Sequence, residues 1–367
     1  MVTVLIAGGG TGGHVFPMLA VGSALRALEP TAEVFYVGTP RGMEGRLLGE
    51  LGLDLEMLDV APLRGGGLRG VAKGAVKAFS SLWSSRELVA RRRPDVVLSV
   101  GGYAGGPVAL AARLAGVPLA LLEPNSVFGF TNRVLAPLAR RVYFAFGELD
   151  RSLRRGVGLR SGVPLRGAFS RAPYSPDPGR FHVAVFGGSQ GAKALNELVP
   201  AAFAELSRTV PHATILHQSG RDRRAETVER YERAGVPARS FSVVEFTKDM
   251  FGELARADVV VQRSGASSLS ELCLVGRASI LVPYPYAVDD HQRKNARSLA
   301  AAGASVLVDQ ATATVTSLAR ELGELARSPE RRVRMAEAAA GLSNPRAAET
   351  VAADLLALAK SPRRGVS

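Results

Sequence analysis

The chain has 367 residues, 47% of them hydrophobic, and one cysteine, Cys273, so it can build two ordinary cores and holds no internal disulfide, which fits a reducing cytoplasmic setting. No apolar run reaches the roughly 20 residues of a membrane span, and no basic start leads into an apolar stretch with a small-residue cleavage site, so neither a spanning helix nor that export route is expected. The net charge of +13 raises the question of nucleic acid, but residues 63–93 carry eight Lys/Arg against Glu87 alone. The basic excess of the first half is therefore local, and no nucleic-acid partner is expected.

In chain order, the first half reads as short apolar runs, "VTVLIAG", "EVFYVG", "LDLEMLDV", "DVVLSVG", "PLALLE" and "RRVYFAF", with helical patterns between most of them. Strands apolar on both faces that alternate with helices predict a parallel sheet covered on both sides. After the Pro- and Gly-rich stretch "RSGVPLRGAFSRAPYSPDPGR" the scheme repeats with "FHVAVFGG", "ATILHQSG", "FSVVEF", "DVVVQRS", "SILVPY" and "ASVLVD". Beyond residue 310 the pattern is helical, and "NPRAAETVAADLLALAK" is a last helix that could cross back onto the first domain. The expected fold is thus α/β, with two doubly wound Rossmann-like domains facing a cleft. Their expected limits are 1–163, 164–342 and a terminal helix over 343–360.

Both domains open from strand through a glycine-rich turn into a helix, "VLIAGGGTGGH" and "VAVFGGSQGAK". Such turns let backbone N–H groups approach an anion at a helix N-terminus, and in open sheets ligands bind beyond the carboxyl ends of the strands. Gly8, Gly10 and Gly13 formally satisfy the dinucleotide pattern, yet the second strand ends in Gly38 and Thr39 where that pattern wants an acid. An NADP enzyme using Arg41 remains an alternative, and either turn could serve packing alone. His14 would stand at the mouth of the cleft, where an imidazole can take a proton from a hydroxyl, although a lone histidine is also an ordinary surface or capping residue.

The strings "GGGTGGHVFP", "GGY", "EPN", "TNR", "GGSQGA", "HQSG", "RSGASSLSEL" and "DDHQRKNA", in this order, closely resemble the MurG family of bacterial peptidoglycan N-acetylglucosaminyltransferases over nearly the whole chain. The resemblance implies a GT-B glycosyltransferase. It would move N-acetylglucosamine from UDP-N-acetylglucosamine to the C4 hydroxyl of undecaprenyl-diphosphate-linked muramoyl-pentapeptide, inverting the anomeric centre.

Carried over by residue, the resemblance implies that Glu271 holds the ribose, Ser189 the diphosphate and Arg166 the nucleotide side. The backbone at Thr247 would meet uracil, Ala266, Ser267, Ser268 and Leu269 would line the same pocket, and Gln292 and Asn125 would contact the transferred sugar. Thr11, Gly12, Gly13 and His14 face the acceptor and the reacting centre, with His14 as general base and Tyr103 and Asn132 as acceptor-side candidates. Outside that resemblance each is also explicable as a turn, cap, linker or packed residue. The sequence departs from the family pattern at Leu122, Pro124 and Val163, which bears on the geometry around Asn125 and on the hinge.

No D-x-D pair is present to hold a metal under a diphosphate, since Asp289 and Asp290 are adjacent. Metal-free catalysis with no cofactor is expected, with amides, helix N-termini and Arg or Ser side chains stabilising the leaving group. Over residues 68–89, Val71, Phe79, Leu82 and Trp83 lie among Arg69, Lys73, Lys77 and Arg86. Lys73, Lys77, Phe79 and Trp83 are the candidates for peripheral contact with an anionic membrane on its cytoplasmic face, at roughly 1 kcal/mol per basic side chain, although such a helix more often packs on its own sheet. A non-catalytic UDP-sugar binding module is the third reading.

Overall fold

The computed structural model describes residues 1–9, 12–40, 53–58, 60, 67–145, 153–165, 169–188 and 191–361, with backbone only at 12, 67–79 and 103. The chain forms two compact units, one of Met1–Gly167 with Arg346–Ser367 and one of Ala168–Pro345.

The first unit runs β1 (Thr3–Ala7), α1 (Gly12–Leu28), β2 (Glu33–Gly38), β3 (Leu55–Met57), α2 (Gly67–Arg92), β4 (Val96–Ser99), α3 (Gly102–Leu114), β5 (Leu119–Glu123), α4 (Phe130–Leu135), β6 (Arg141–Phe144) and β7 (Gly158–Arg160). The seven strands are parallel, in the order β3-β2-β1-β4-β5-β6-β7. Alternation along the strands explains why they are apolar throughout. Val4 and Ile6 enter one core with Met18 and Leu25 of α1, whereas Leu5 and Ala7 enter another with Leu88 of α2 and Val108 of α3.

The second unit runs β8 (Phe181–Phe186), α5 (Lys193–Thr209), β9 (Ala213–Gln218), α6 (Arg224–Arg233), β10 (Phe241–Val244), α7 (Met250–Arg256), β11 (Val259–Gln262), α8 (Ala266–Val275), β12 (Ala278–Leu281), α9 (His291–Ala301), β13 (Ser305–Leu307), α10 (Val315–Arg327) and α11 (Pro329–Gly341). Its six strands are also parallel, in the order β10-β9-β8-β11-β12-β13. Phe181, Val183 and Val185 pack with Leu195, Val199 and Phe203 of α5 and Leu318 and Leu322 of α10.

A last helix, α12 (Ala347–Ala359), belongs to the first unit, where Val351, Ala352 and Leu355 share the core of Met18 and Leu25. Its Asp354 accepts from Arg141 Nε at 2.8 Å and from the Tyr143 hydroxyl at 2.8 Å. Burial and the Asp354 carboxylate push the Tyr143 phenol well above its usual range, so Tyr143 remains the donor.

The two doubly wound sheets agree with the sequence reading. Two strands differ in detail. The run "LDLEMLDV" contributes only three residues to β3, and β7 was not read at all. Both are short, partly exposed edge strands, and three residues are too few to establish an alternation.

Candidate functional site

In each sheet the strand order reverses once, between β1 and β4 and between β8 and β11. Crevices beyond the carboxyl ends of strands form at such points.

In the first unit, the turn after β1 meets the turn after β4 backbone to backbone. A Cβ on Gly102, whose φ is +76°, would lie 2.4 Å from the Gly9 carbonyl oxygen, so glycine is required there both for the angle and for the approach. Gly101 has φ +87°, and a Cβ on it would stand 3.6 Å from His14 Nε2 and 3.5 Å from Asn132 Nδ2. The imidazole of His14 is half-buried in the first turn of α1. His14 and Asn132 therefore border the same small floor, although they are 118 residues apart.

Asn132 is held by Glu123, a residue that reading by motif passed over although it lies in the string "EPN". Glu123 ends β5 at 2% exposure and accepts from Asn125 N (3.1 Å), Asn125 Nδ2 (3.0 Å), Gly129 N (2.9 Å) and Asn132 Nδ2 (3.0 Å). Burial raises its pKa, against the opposing pull of these N–H donors. Asn132 Nδ2 also donates to the Leu122 carbonyl at 3.0 Å, while Asn132 Oδ1 is buried with no hydrogen-bond partner among the described residues. That oxygen is an acceptor waiting for a donor. The departure at Leu122 leaves this arrangement intact, because its side chain is fully buried in the core and only its carbonyl is used. Val163 is likewise buried.

In the second unit, Gly188 (φ +84°) and Gly191 (φ +70°) bracket the turn after β8, and Gly191 N donates to Gly188 O at 3.0 Å. Gln218, at the end of β9, ties two loops together. Its Nε2 donates to Gly188 O at 3.4 Å, and its Oε1 accepts from Thr247 N at 3.2 Å. Gln218 was also missed, and the string "HQSG" was its only signal.

Next to these, α8 begins at Gly265 with no side-chain cap, so its first N–H groups rely on something other than a cap. Ser267 Oγ is buried there without a partner among the described residues. Leu269 is fully buried, so its side chain serves the core and only its backbone belongs to the turn. Ala266 is buried, and Ser268 and Glu271 are half-buried. Gln292, in the first turn of α9, accepts from Tyr284 N at 3.0 Å through Oε1, and its peptide oxygen accepts from Ser264 Oγ at 2.8 Å. The chain enters α9 through Asp289 and Asp290, both at φ 54°, which bends it sharply.

Thr11, Arg166 and Ser189 lie outside the described residues, as do the side chains of Tyr103, Lys73, Lys77 and Phe79. The helix read over 68–89 is present as α2. Trp83 on it is 59% exposed, and its indole N–H donates to Glu87 at 2.7 Å, whereas Leu88 and Val89 are buried. One side of α2 thus packs on the sheet and Trp83 faces outward. Among the described residues no helix is long and apolar enough to cross a membrane, and no three His, Cys, Asp or Glu side chains gather as a metal cage.

The profile of the glycosyltransferase family 28 N-terminal domain matches residues 4–144, and that of the family's C-terminal domain matches residues 182–351. A UDP-N-acetylglucosamine–N-acetylmuramyl-(pentapeptide) pyrophosphoryl-undecaprenol N-acetylglucosamine transferase of Sorangium cellulosum (strain So ce56) is 55% identical over 99% of this chain and 90% of its own. The enzyme of the same name from Pseudomonas aeruginosa (strain LESB58) is 42% identical over 97% of this chain and 99% of its own. The crystal structure of Acinetobacter baumannii MurG is similar at TM-score 0.82, with 31% identity, and the match covers 97% of this chain and 100% of that one. A UDP-N-acetylglucosamine 2-epimerase described as such for Listeria monocytogenes shares only the fold, at TM-score 0.71 and 16% identity.

Proposed function

The chain belongs to glycosyltransferase family 28, among its MurG-type N-acetylglucosamine transferases, and from that premise we infer the reaction and the part each residue takes in it. N-acetylglucosamine passes from UDP-N-acetylglucosamine to the C4 hydroxyl of undecaprenyl-diphosphate-linked muramoyl-pentapeptide. The observation that carries this reading is 55% identity to the Sorangium transferase across 99% of the chain. The competing oxidoreductase reading has no such support.

His14 takes the proton of the acceptor hydroxyl as its oxygen attacks C1 of the sugar, the bond from C1 to the diphosphate oxygen breaks, and UDP leaves. Attack from the face opposite the leaving group inverts C1. Supporting this role, His14 and Asn132 Oδ1, which has no partner among the described residues, border the same crevice, so one can accept a proton while the other accepts a hydrogen bond from a sugar hydroxyl. Thr11, Gly12, Gly13 and Tyr103 complete the acceptor side in this reading.

On the donor side, the departing diphosphate lies against the turn of Gly188 to Gly191, with Ser189, and against the uncapped start of α8, whose N–H groups and positive end stabilise the charge as it develops. Glu271 accepts from the ribose hydroxyls, Arg166 lies on the nucleotide side and the backbone at Thr247 meets the base. Gln292 Oε1 is already engaged, so its amide N–H groups are what it offers to the sugar, and Asn125, anchored by Glu123, faces the same group.

Mixing the protein with UDP-N-acetylglucosamine and a short-chain lipid-linked muramoyl-pentapeptide should yield one disaccharide product with the β configuration, at an unchanged rate after exhaustive chelation. Absence of transfer would sink the enzymatic assignment, and rescue by one divalent ion would overturn the metal-free route.

The acceptor is lipid-linked, and α2 carries Trp83 outward beside a basic run, which supports peripheral attachment to the cytoplasmic face of an anionic membrane. Changing Lys73 and Lys77 to Glu should reduce co-flotation with anionic vesicles severalfold while UDP binding holds. Unchanged flotation would exclude this face, and equal loss of both would indicate misfolding.

A further inference from the structure

Behind the donor-side turn lies a buried polar chain that the reaction as described does not use. His217, in β9, is 0% exposed. Its Nδ1 lies 2.9 Å from the Tyr231 hydroxyl and its Nε2 3.0 Å from Asn196 Oδ1. Asn196 Nδ2 in turn donates to the Ser219 carbonyl at 2.9 Å.

That carbonyl fixes the direction of every proton. A carbonyl only accepts, so the Asn196 amide nitrogen must face it and Oδ1 must face the imidazole. Oδ1 also only accepts, so His217 carries its proton on Nε2, and Nδ1 accepts from the Tyr231 O–H. Hydrogen bonds aligned in one sense polarise one another, and no member can reverse without leaving a buried group unpaired. The chain is rigid at its far end, because Tyr231 stacks on Phe241 at 4.8 Å and meets Phe203 edge-on. Burial lowers the imidazole pKa to about 3, which keeps it neutral at any working pH.

The near end of the chain bears on the turn. Gly191 stands so close to Ser219 that a Cβ on it would lie 2.2 Å from the Ser219 oxygen. Ser219 N and Oγ are bonded to Val244 O, and Gly220 N to Glu245 O, so the same loop also leads toward Thr247. Asn196 sits in the first turn of α5, the helix that the glycine turn feeds. A shift of the Ser219 carbonyl would therefore move Gly191, at the end of the turn.

We propose that His217 is a positioning residue for the donor diphosphate. As the neutral Nε2–H tautomer, locked by Tyr231, it holds Asn196 and through it the Ser219 carbonyl against Gly191, which fixes the end of the glycine turn that receives the diphosphate. This inference rests on the reading that the turn takes that group. It goes beyond that reading in assigning the accuracy of the turn to side chains that never touch the substrate.

The test compares UDP with uridine, which lacks the diphosphate, by calorimetry on the full chain. For the unsubstituted protein UDP should bind far more tightly than uridine, and equal affinities would remove the diphosphate reading itself. His217→Leu should weaken UDP binding tenfold or more and raise the donor KM while uridine binding and the acceptor KM change less than twofold. His217→Gln, whose amide can donate to Asn196 in place of Nε2–H, should recover UDP binding to within about threefold. Equal weakening of UDP and uridine, or no weakening, would overturn the proposal. If His217→Leu does not fold, the ¹⁵N chemical shifts of the imidazole in the unsubstituted protein decide instead. A protonated Nε2 with a bare Nδ1 is expected, and the Nδ1–H tautomer refutes the chain of bonds.

Discussion

Replacing His14 with alanine should lower kcat by about 10²–10⁴-fold, the range removed with a general base, while UDP binding measured by calorimetry stays within about twofold. The physical reason is that the imidazole stands against Gly101 at the switch point of the first unit, whereas the turn proposed to receive the diphosphate belongs to the second. Glu271→Ala should give the opposite pattern, a raised donor KM with kcat little changed, if the carboxylate holds ribose hydroxyls as proposed and moves no proton. If His14→Ala turns over at the parental rate, the base lies elsewhere.

The second large effect is on stability. Glu123→Ala should cost about 3 kcal/mol, since of the four N–H bonds it removes, from Asn125, Gly129 and Asn132, the one from Asn132 is fully buried, and a buried group left without its acceptor costs about 1–3 kcal/mol. Activity should fall with it, because Asn125 and Asn132 lose the group that orients them. Glu123→Gln is no remedy, as its amide nitrogen must face donors on one side or the other.

The pH dependence of this site has a definite sign. Burial raises the folded-state pKa of Glu123 above 4.5, so the folded form binds the proton more tightly than the unfolded chain does. The stability linked to this group is fully present below the unfolded pKa and is lost as pH rises through the folded value. The advantage of the intact protein over Glu123→Gln, measured by urea denaturation, should therefore shrink as pH rises from below 4.5. An advantage that grows over that window would mean that the hydrogen bonds outweigh burial.

Much of this was legible in the residues alone. Runs such as "VTVLIAG" and "FHVAVFGG" declare strands with two buried faces, because helices on both sides of a parallel sheet leave few positions for a polar residue. The glycines announce the turns, since only they reach φ near +80° and allow backbones to touch, as Gly102 does at Gly9. Motif order placed His14, Glu271 and Gln292 among the candidates. The short strand β7 escaped, because three residues hold too little periodicity to read.

The groups that orient the candidates were not legible, because their partners lie off their own strands, on loops and helices whose placement only the fold sets. Glu123 gathers Asn125, Gly129 and Asn132 from beyond its own strand, Gln218 joins Gly188 to Thr247, and His217 reaches Asn196 and Tyr231 from different helices. Each is an ordinary polar residue at the end of an apolar run until the loops and helices beyond the strand are packed around it. Local patterning by itself determined the two sheets, their order of elements and the residue types fit for the chemistry. Tertiary structure alone decided which of those side chains are buried, which accept and which donate, because a hydrogen bond between distant residues has direction only once both ends are held in place.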